Sequence, residues 1–191
     1  MSLVEPLPHI LSSRFSTETW NENERYRTQR NINGCIYGCP LRISSKIHIN
    51  AFAYVLEMNN TTNKIEGVGV IRNYHNADQP PWIYSNNNYN RYIYTGEYRM
   101  DREAISRYDM ELVEKIEAIC FKGKTHMKRG SGLTLVPEKL LIYQDKSALD
   151  PSSCYIKSNS KMNIACDIQT VFRNHFRGIT NHSETVGPLT V

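Results

Sequence analysis

Between Phe121 and Leu133 the chain runs Phe-Lys-Gly-Lys-Thr-His-Met-Lys-Arg-Gly-Ser-Gly-Leu, and no acid occurs between Glu117 and Glu138. Lys122, Lys124, Lys128 and Arg129 are thus gathered in one short segment, which attracts anions, phosphate above all. Gly123, Gly130 and Gly132 remove side chains and widen the backbone's conformational range, so peptide N–H groups can approach a phosphate closely. His126 stands among these cations as a hydrogen-bond partner for phosphate and as the one candidate for a general base. The segment is therefore expected to be a binding surface.

Aromatic residues supply a second kind of chemistry. The chain holds 12 tyrosines and 2 tryptophans, and Trp82, Tyr84, Tyr89, Tyr92 and Tyr94 cluster around one Asn-rich loop and the strand after it. Trp82 follows Pro80-Pro81 in a polar stretch, and Arg91 adjoins Tyr92. Rings beside cations can stack on unpaired bases, each stack contributing about 1–3 kcal/mol. The alternative use of such tyrosines is half-buried sheet packing with the hydroxyl reaching water.

Other chemistries find less in the residues. Cys35 and Cys39 are four apart, without the second pair that a zinc knuckle needs, while Cys154, Cys166 and His48 stand apart. No nucleophile elbow, Walker loop or His-Glu-x-x-His occurs; Lys-Arg-Gly-Ser-Gly132 lacks the Gly-Lys-Ser/Thr that positions magnesium. A two-metal nuclease would need Asp78, Glu97 and Asp101 to converge from separate strands. The expectation is no cofactor, no metal and no catalytic residue other than the candidate His126.

The 191 residues suit one domain with a loosely attached terminus. A balance of 23 basic against 19 acidic side chains gives +4, so nucleic-acid binding has to come from a local patch. Five cysteines, an odd number, favour a reducing compartment over a secreted disulfide framework. Nothing at the N-terminus has the pattern of a signal peptide, and no apolar run approaches the roughly 20 residues of a membrane span. The expected setting is intracellular, with no membrane partner.

These groups need a scaffold. Residues 1–33 are polar, with Arg25, Arg27 and Arg30, and suggest a solvated arm anchored by Trp20. Alternation over Leu41–Ile49 predicts a strand; Ala51–Met58 and Lys64–Arg72, joined by Asn59-Asn60-Thr61-Thr62-Asn63, predict a hairpin. Gly67 and Gly69 in its second arm signal a bulge, or the close approach of another backbone or a ligand. Asn73–Asn90 is expected to be an exposed loop and Arg91–Met100 a strand. Asp101 or Asp109 caps a helix carrying Leu112, Ile116 and Ile119, which Gly123 ends. Short strands follow at Leu133–Pro137 and Lys139–Gln144, then a loop over Ala148–Ser160 and a helix over Asn163–Phe176. The predicted class is α+β, a curved, mainly antiparallel sheet or partial β-barrel flanked by two helices. Residues 34–180 form the domain, between the arm and a frayed tail at 181–191.

Two resemblances can be added. The run Ala51–Met58, the Asn/Thr turn and Ile65-Glu-Gly-Val-Gly-Val-Ile71 resembles the strand, turn and strand of PUA-like modules of the EVE, ASCH and YTH kind. That likeness implies a curved barrel binding RNA or a modified base in an aromatic-lined pocket, with Trp82 as the ring carried over. Tyr89-Asn-Arg-Tyr-Ile-Tyr94, with the Phe121–Gly132 segment, resembles uncharacterised proteins of large nucleocytoplasmic DNA viruses. It implies a viral protein of host cytoplasm, viral factory or virion. The function expected is a nucleic-acid-binding module for DNA or RNA. Lys122, Lys124, His126, Lys128, Arg129, Gly130 and Gly132 would meet phosphates; Trp82, Tyr92 and Arg91 would meet bases. A virion assembly protein contacting viral protein subunits and a metal-dependent nucleic-acid enzyme are the alternatives.

Overall fold

The computed structural model describes residues 7–75, 82–144 and 161–183. Its elements in order are β1 (His9–Phe15), α1 (Thr17–Gln29), β2 (Cys35–Cys39), β3 (Phe52–Asn59), β4 (Lys64–Arg72), β5 (Tyr92–Gly96) and β6 (Tyr98–Asp101). There follow α2 (Arg102–Tyr108), α3 (Met110–Phe121), β7 (Thr134–Leu135), α4 (Glu138–Leu141), β8 (Ile142–Gln144), β9 (Lys161–Asn163) and α5 (Ile164–Ser183).

The main sheet has the strand order β6-β4-β3-β1-β7. β1 and β3 run parallel, with Leu11 opposite Val55 and Phe15 opposite Asn59, while the other neighbours are antiparallel. β2 and β5 form a separate antiparallel pair, and β8 with β9 another. Among the described residues an isolated bridge, His75 to Tyr94, connects the chain leaving β4 to β5. The class is α+β as expected, but the sheet is mixed and no closed barrel forms among the described residues. Helices beyond the expected two also frame it.

The sheet is covered on both faces. Alternation along β3 sends Tyr54, Leu56 and Met58 to one side, where they meet α2, α3 and α5 through Ile105, Ile116, Ile168 and Phe172. Ala53 and Val55 face the other side and pack with Leu11, Ile71 and the β2–β5 pair. α3 is held by the apolar face formed by Leu112, Val113, Ile116 and Cys120. Asp101 caps α2 and Asp109 caps α3, each accepting a backbone N–H from the third residue on. Both candidate caps are used, because two helices stand where one was expected.

Several expectations are corrected. Residues 9–29 are not an irregular arm: β1 is an interior strand, buried at Ile10, Leu11 and Ser12. α1 starts at a capping box in which Ser16 and Thr19 bond reciprocally. Leu41–Ile49 forms no strand; Ile43 and Ile47 turn inward, whereas Leu41 and Ile49 are exposed. Arg91–Met100 divides into two strands of different sheets, and Tyr94 and Ile93 are both buried. Lys139–Gln144 is one helical turn before the short β8. The Asn73–Asn90 stretch is not wholly exposed, since Ile83, Tyr84 and Asn90 are buried. Asn90 Oδ1 accepts the N–H groups of Ile83 and Tyr84 and so folds the loop back on itself. The hairpin, the helix stop at Gly123 (φ +74) and the helix from Ile164 agree with expectation. Asp78, Pro80, Pro81, Cys154, the loop at 148–160 and the tail beyond Ser183 lie outside the described residues.

Gly67 and Gly69 make room for protein, not for a ligand. A Cβ on Gly69 would sit 2.2 Å from the Tyr37 hydroxyl, and one on Gly67 2.4 Å from the Met100 carbonyl. Beneath them Glu57 is 1% exposed, gripped by Arg99 at 3.0 and 2.8 Å and receiving the Tyr37 hydroxyl at 2.7 Å. Burial opposes the Arg99 charge, but the Glu57 carboxylate outweighs it and raises the Arg99 pKa. Trp20 lies under both Arg99 and Arg27, each 5.4 Å from its ring, so α1 is fastened to this polar core.

Candidate functional site

The basic loop leaves α3 at Lys122 and is pinned down at several points between His126 and Gly132. The Met127 side chain enters the core, and its N–H donates to the Cys120 carbonyl at 2.9 Å. The His126 Nδ1 accepts the Lys128 N–H at 3.3 Å, which gives this histidine a turn-forming contact. Lys128 spans to the hairpin turn: its Nζ donates to Asn63 Oδ1 at 2.8 Å and its carbonyl accepts from Asn60 at 3.1 Å. Gly130 and Gly132 have φ of +115 and +71, a region that side chains strain to enter. At Gly132 the loop also presses on Cys39, 3.3 Å from where a Cβ would be.

The cation at the centre of this arrangement is Arg14, near the end of β1. Its Nε donates to the Met127 carbonyl, and its Nη1 donates to the Gly132 carbonyl at 3.4 Å and to Thr134 Oγ1 at 2.9 Å. All three acceptors are neutral. Burial lowers the Arg14 pKa, yet a guanidinium remains charged at physiological pH. Arg14 is therefore a half-buried positive charge with no carboxylate partner among the described residues.

Two adjoining cavities open beside it. The smaller, about 130 Å³, lies between Arg14, Ser16, Pro40, Tyr84, Tyr89 and Gly132. The larger, about 310 Å³, shares Arg14, Ser16, Tyr89 and Gly132 and adds Asn60 and Ser131. Neither is lined by an acid. The start of α1 contributes little, because the N–H groups of Ser16, Thr17 and Thr19 already have hydroxyl acceptors. Tyr84 and Tyr89 form one wall, edge to face with centroids 6.0 Å apart. Tyr84 is fixed by Asn23, whose Nδ2 donates to its hydroxyl at 2.9 Å.

The expected site residues thus divide. Gly130 and Gly132 line the cleft, and Lys128 braces the larger cavity through Asn60. Lys122, Lys124 and Arg129 are exposed, and their side chains have no hydrogen bond or ion pair with any described residue. The ion pairs Glu57–Arg99, Glu117–Arg102 and Glu111–Lys115 do not involve the loop's cations. Trp82 is 70% exposed and lines no described cavity; the rings at the cleft are those of Phe15, Tyr84 and Tyr89. Tyr92 and Arg91 form a separate group, with Arg91 5.9 Å and Arg42 5.3 Å from the Tyr92 ring. Arg14, Ser16 and Asn60 were not singled out by sequence, while Tyr84 and Tyr89 were named within the aromatic cluster but not among the residues expected to meet bases. The Ser16-x-x-Thr19 capping box ahead of Trp20 was the available signal for the β1–α1 turn that carries two of them.

Among the described residues no three His, Cys, Asp or Glu side chains gather as metal ligands. Asp101 is occupied as a helix cap and Glu97 is exposed on a different groove. Burial raises the thiols of Cys35 and Cys39 to about 12 and about 11, which keeps them protonated at neutral pH. No described helix is long and apolar enough to cross a membrane. Comparison with protein-family models, with curated proteins and with solved structures finds no match.

Proposed function

We propose that this chain binds nucleic acid, seating a backbone phosphate in the cleft between Arg14 and the Gly130–Gly132 turn. The observation that carries this reading is the Arg14 guanidinium, half-buried at an acid-free cleft and bonded only to neutral acceptors. An anion is the natural complement of such a charge. At about 130 Å³ the inner cavity is well below the roughly 300–1,000 Å³ of a small-molecule site, so it suits one phosphate group. Lys122, Lys124 and Arg129, whose side chains have no ion pair among the described residues, extend the positive surface outside the cleft, and Tyr89, 36% exposed, offers a ring edge to a neighbouring base. The resemblances noted in the sequence, to RNA-binding PUA-like modules and to proteins of large DNA viruses, are compatible with this reading.

Fluorescence anisotropy with labelled oligonucleotides tests it. Each phosphate contact on a single strand contributes about −0.7 to the slope of log K against log salt. Binding is expected to weaken steeply with salt, and the Lys124→Ala/Arg129→Ala variant should flatten the slope by about 1.4. Both side chains are exposed, so the urea midpoint should not move. Salt-indifferent binding, or no binding to DNA or RNA, overturns the proposal.

A second reading, particle assembly through contact with neighbouring protein subunits, is favoured by one observation. Ile49, Phe52 and Tyr74 are 79%, 54% and 63% exposed at the far end of β3. It predicts a complex that survives nuclease and is lost on Phe52→Asp.

A further inference from the structure

We infer that a second groove continues the cleft and receives the next nucleotides of the same single strand. This rests on the nucleic-acid reading and gives it a strand type and a path across the surface. The groove has a volume of about 750 Å³ and carries Arg42, His48 and His75 with no acid in its lining. Its apolar wall includes Tyr74 and Ile49, both largely exposed. Beside it Tyr92 is flanked by Arg42 and Arg91, and the His75 ring meets it edge-on at 5.4 Å. Cations, ring nitrogens and open aromatic surface without carboxylates are what unpaired bases on a phosphate backbone require. Duplex would not expose those bases.

Position connects the two sites. A Cβ on Gly132 would lie 3.7 Å from the Leu41 carbonyl and 3.8 Å from Pro40 Cδ, so the glycine turn rests against the segment that leads into the groove. Arg42 follows immediately, and two residues of chain reach at most about 7 Å. A stacked strand advances about 3.4 Å per nucleotide. The near edge of the groove, at Arg42, is therefore a few nucleotides from the phosphate seat, and its wall at Ile49 and Tyr74 lies toward the opposite end of β3.

The test is a length series of oligo(dT) and oligo(U), from three to twelve nucleotides, against three proteins: native, Arg42→Ala/Arg91→Ala and Lys124→Ala/Arg129→Ala. Native affinity is expected to rise at least tenfold between three and six nucleotides. The Arg42/Arg91 variant should lose that gain while binding trimers within twofold of native; both side chains are exposed, so folding is not at stake. The loop variant should weaken every length. A native series that is flat beyond three nucleotides, or an unchanged gain in the Arg42/Arg91 variant, overturns the second groove and leaves the cleft standing. Absence of binding at every length overturns both.

Discussion

Glu57→Gln is the most exacting test of the fold that carries the cleft. The substitution keeps side-chain volume but removes the charge that Arg99 holds with two nitrogens, at a site where the two side chains are 1% and 11% exposed. An exposed pair would cost no more than about 1 kcal/mol to break. Here the arginine is left buried without its partner, a loss of about 3–5 kcal/mol. For a domain of this size that is about 6–20 °C in Tm, and a large part of a total stability near 5–15 kcal/mol. Urea and thermal unfolding of Glu57→Gln, Arg99→Met and the double variant measure it. The double variant is expected to be more stable than Glu57→Gln alone, since no unpaired charge remains. A Glu57→Gln cost under about 1 kcal/mol, or strict additivity of the two single changes, refutes the reasoning.

Two further outcomes follow from the same packing. Gly69→Ala, whose Cβ would stand 2.2 Å from the Tyr37 hydroxyl and 2.7 Å from Cys35 Sγ, should cost about 1–3 kcal/mol and change the near-UV circular dichroism. The thiols predict alkaline lability: burial raises Cys35, Cys39 and Cys120 from 9.0 to about 12, 11 and 12. Above the unfolded pKa the folded state binds more of these protons, so stability falls as pH rises from about 9 toward 11–12 and is unaffected by them below about 8. Urea midpoints between pH 7 and 10.5 check the sign.

Where local pattern and tertiary role coincide, the sequence alone was sufficient. The β3–β4 hairpin has apolar runs and an Asn-rich turn, and α3 has an apolar face between an acidic cap and a glycine stop. Where burial is polar, the pattern misleads. β1 shows only Ile10 and Leu11 before Ser12-Ser13-Arg14, and α1 buries just Trp20 and Asn23 on a charged helix, so both look solvated. Ile43 and Ile47 share the spacing of a strand but are buried from a coil. The cations of the candidate site were legible because acids are missing around them. Its centre was not, because Arg14 lies more than a hundred residues from the loop it holds, and only the pairing of β1 with β3 and β7 brings them together.

That pairing also explains why the cleft lies where it does. β1 and β3 are the parallel neighbours in an otherwise antiparallel sheet, so their carboxyl ends stop side by side, Phe15 opposite Asn59. Both chains must then leave the sheet at the same edge, one into α1 through Ser16 and the other into the turn at Asn60 and Thr61. Diverging exits leave a crevice at the carboxyl ends of parallel strands, the place where open sheets commonly receive ligands. β7 follows the basic loop and pairs with β1, which brings that loop over the crevice. Arg14 then fixes the loop through the Met127 and Gly132 carbonyls while its charge faces no acid among the described residues. A sheet with β3 reversed would send the Asn60 turn to the opposite edge, and the cations of the loop would have no cavity to serve.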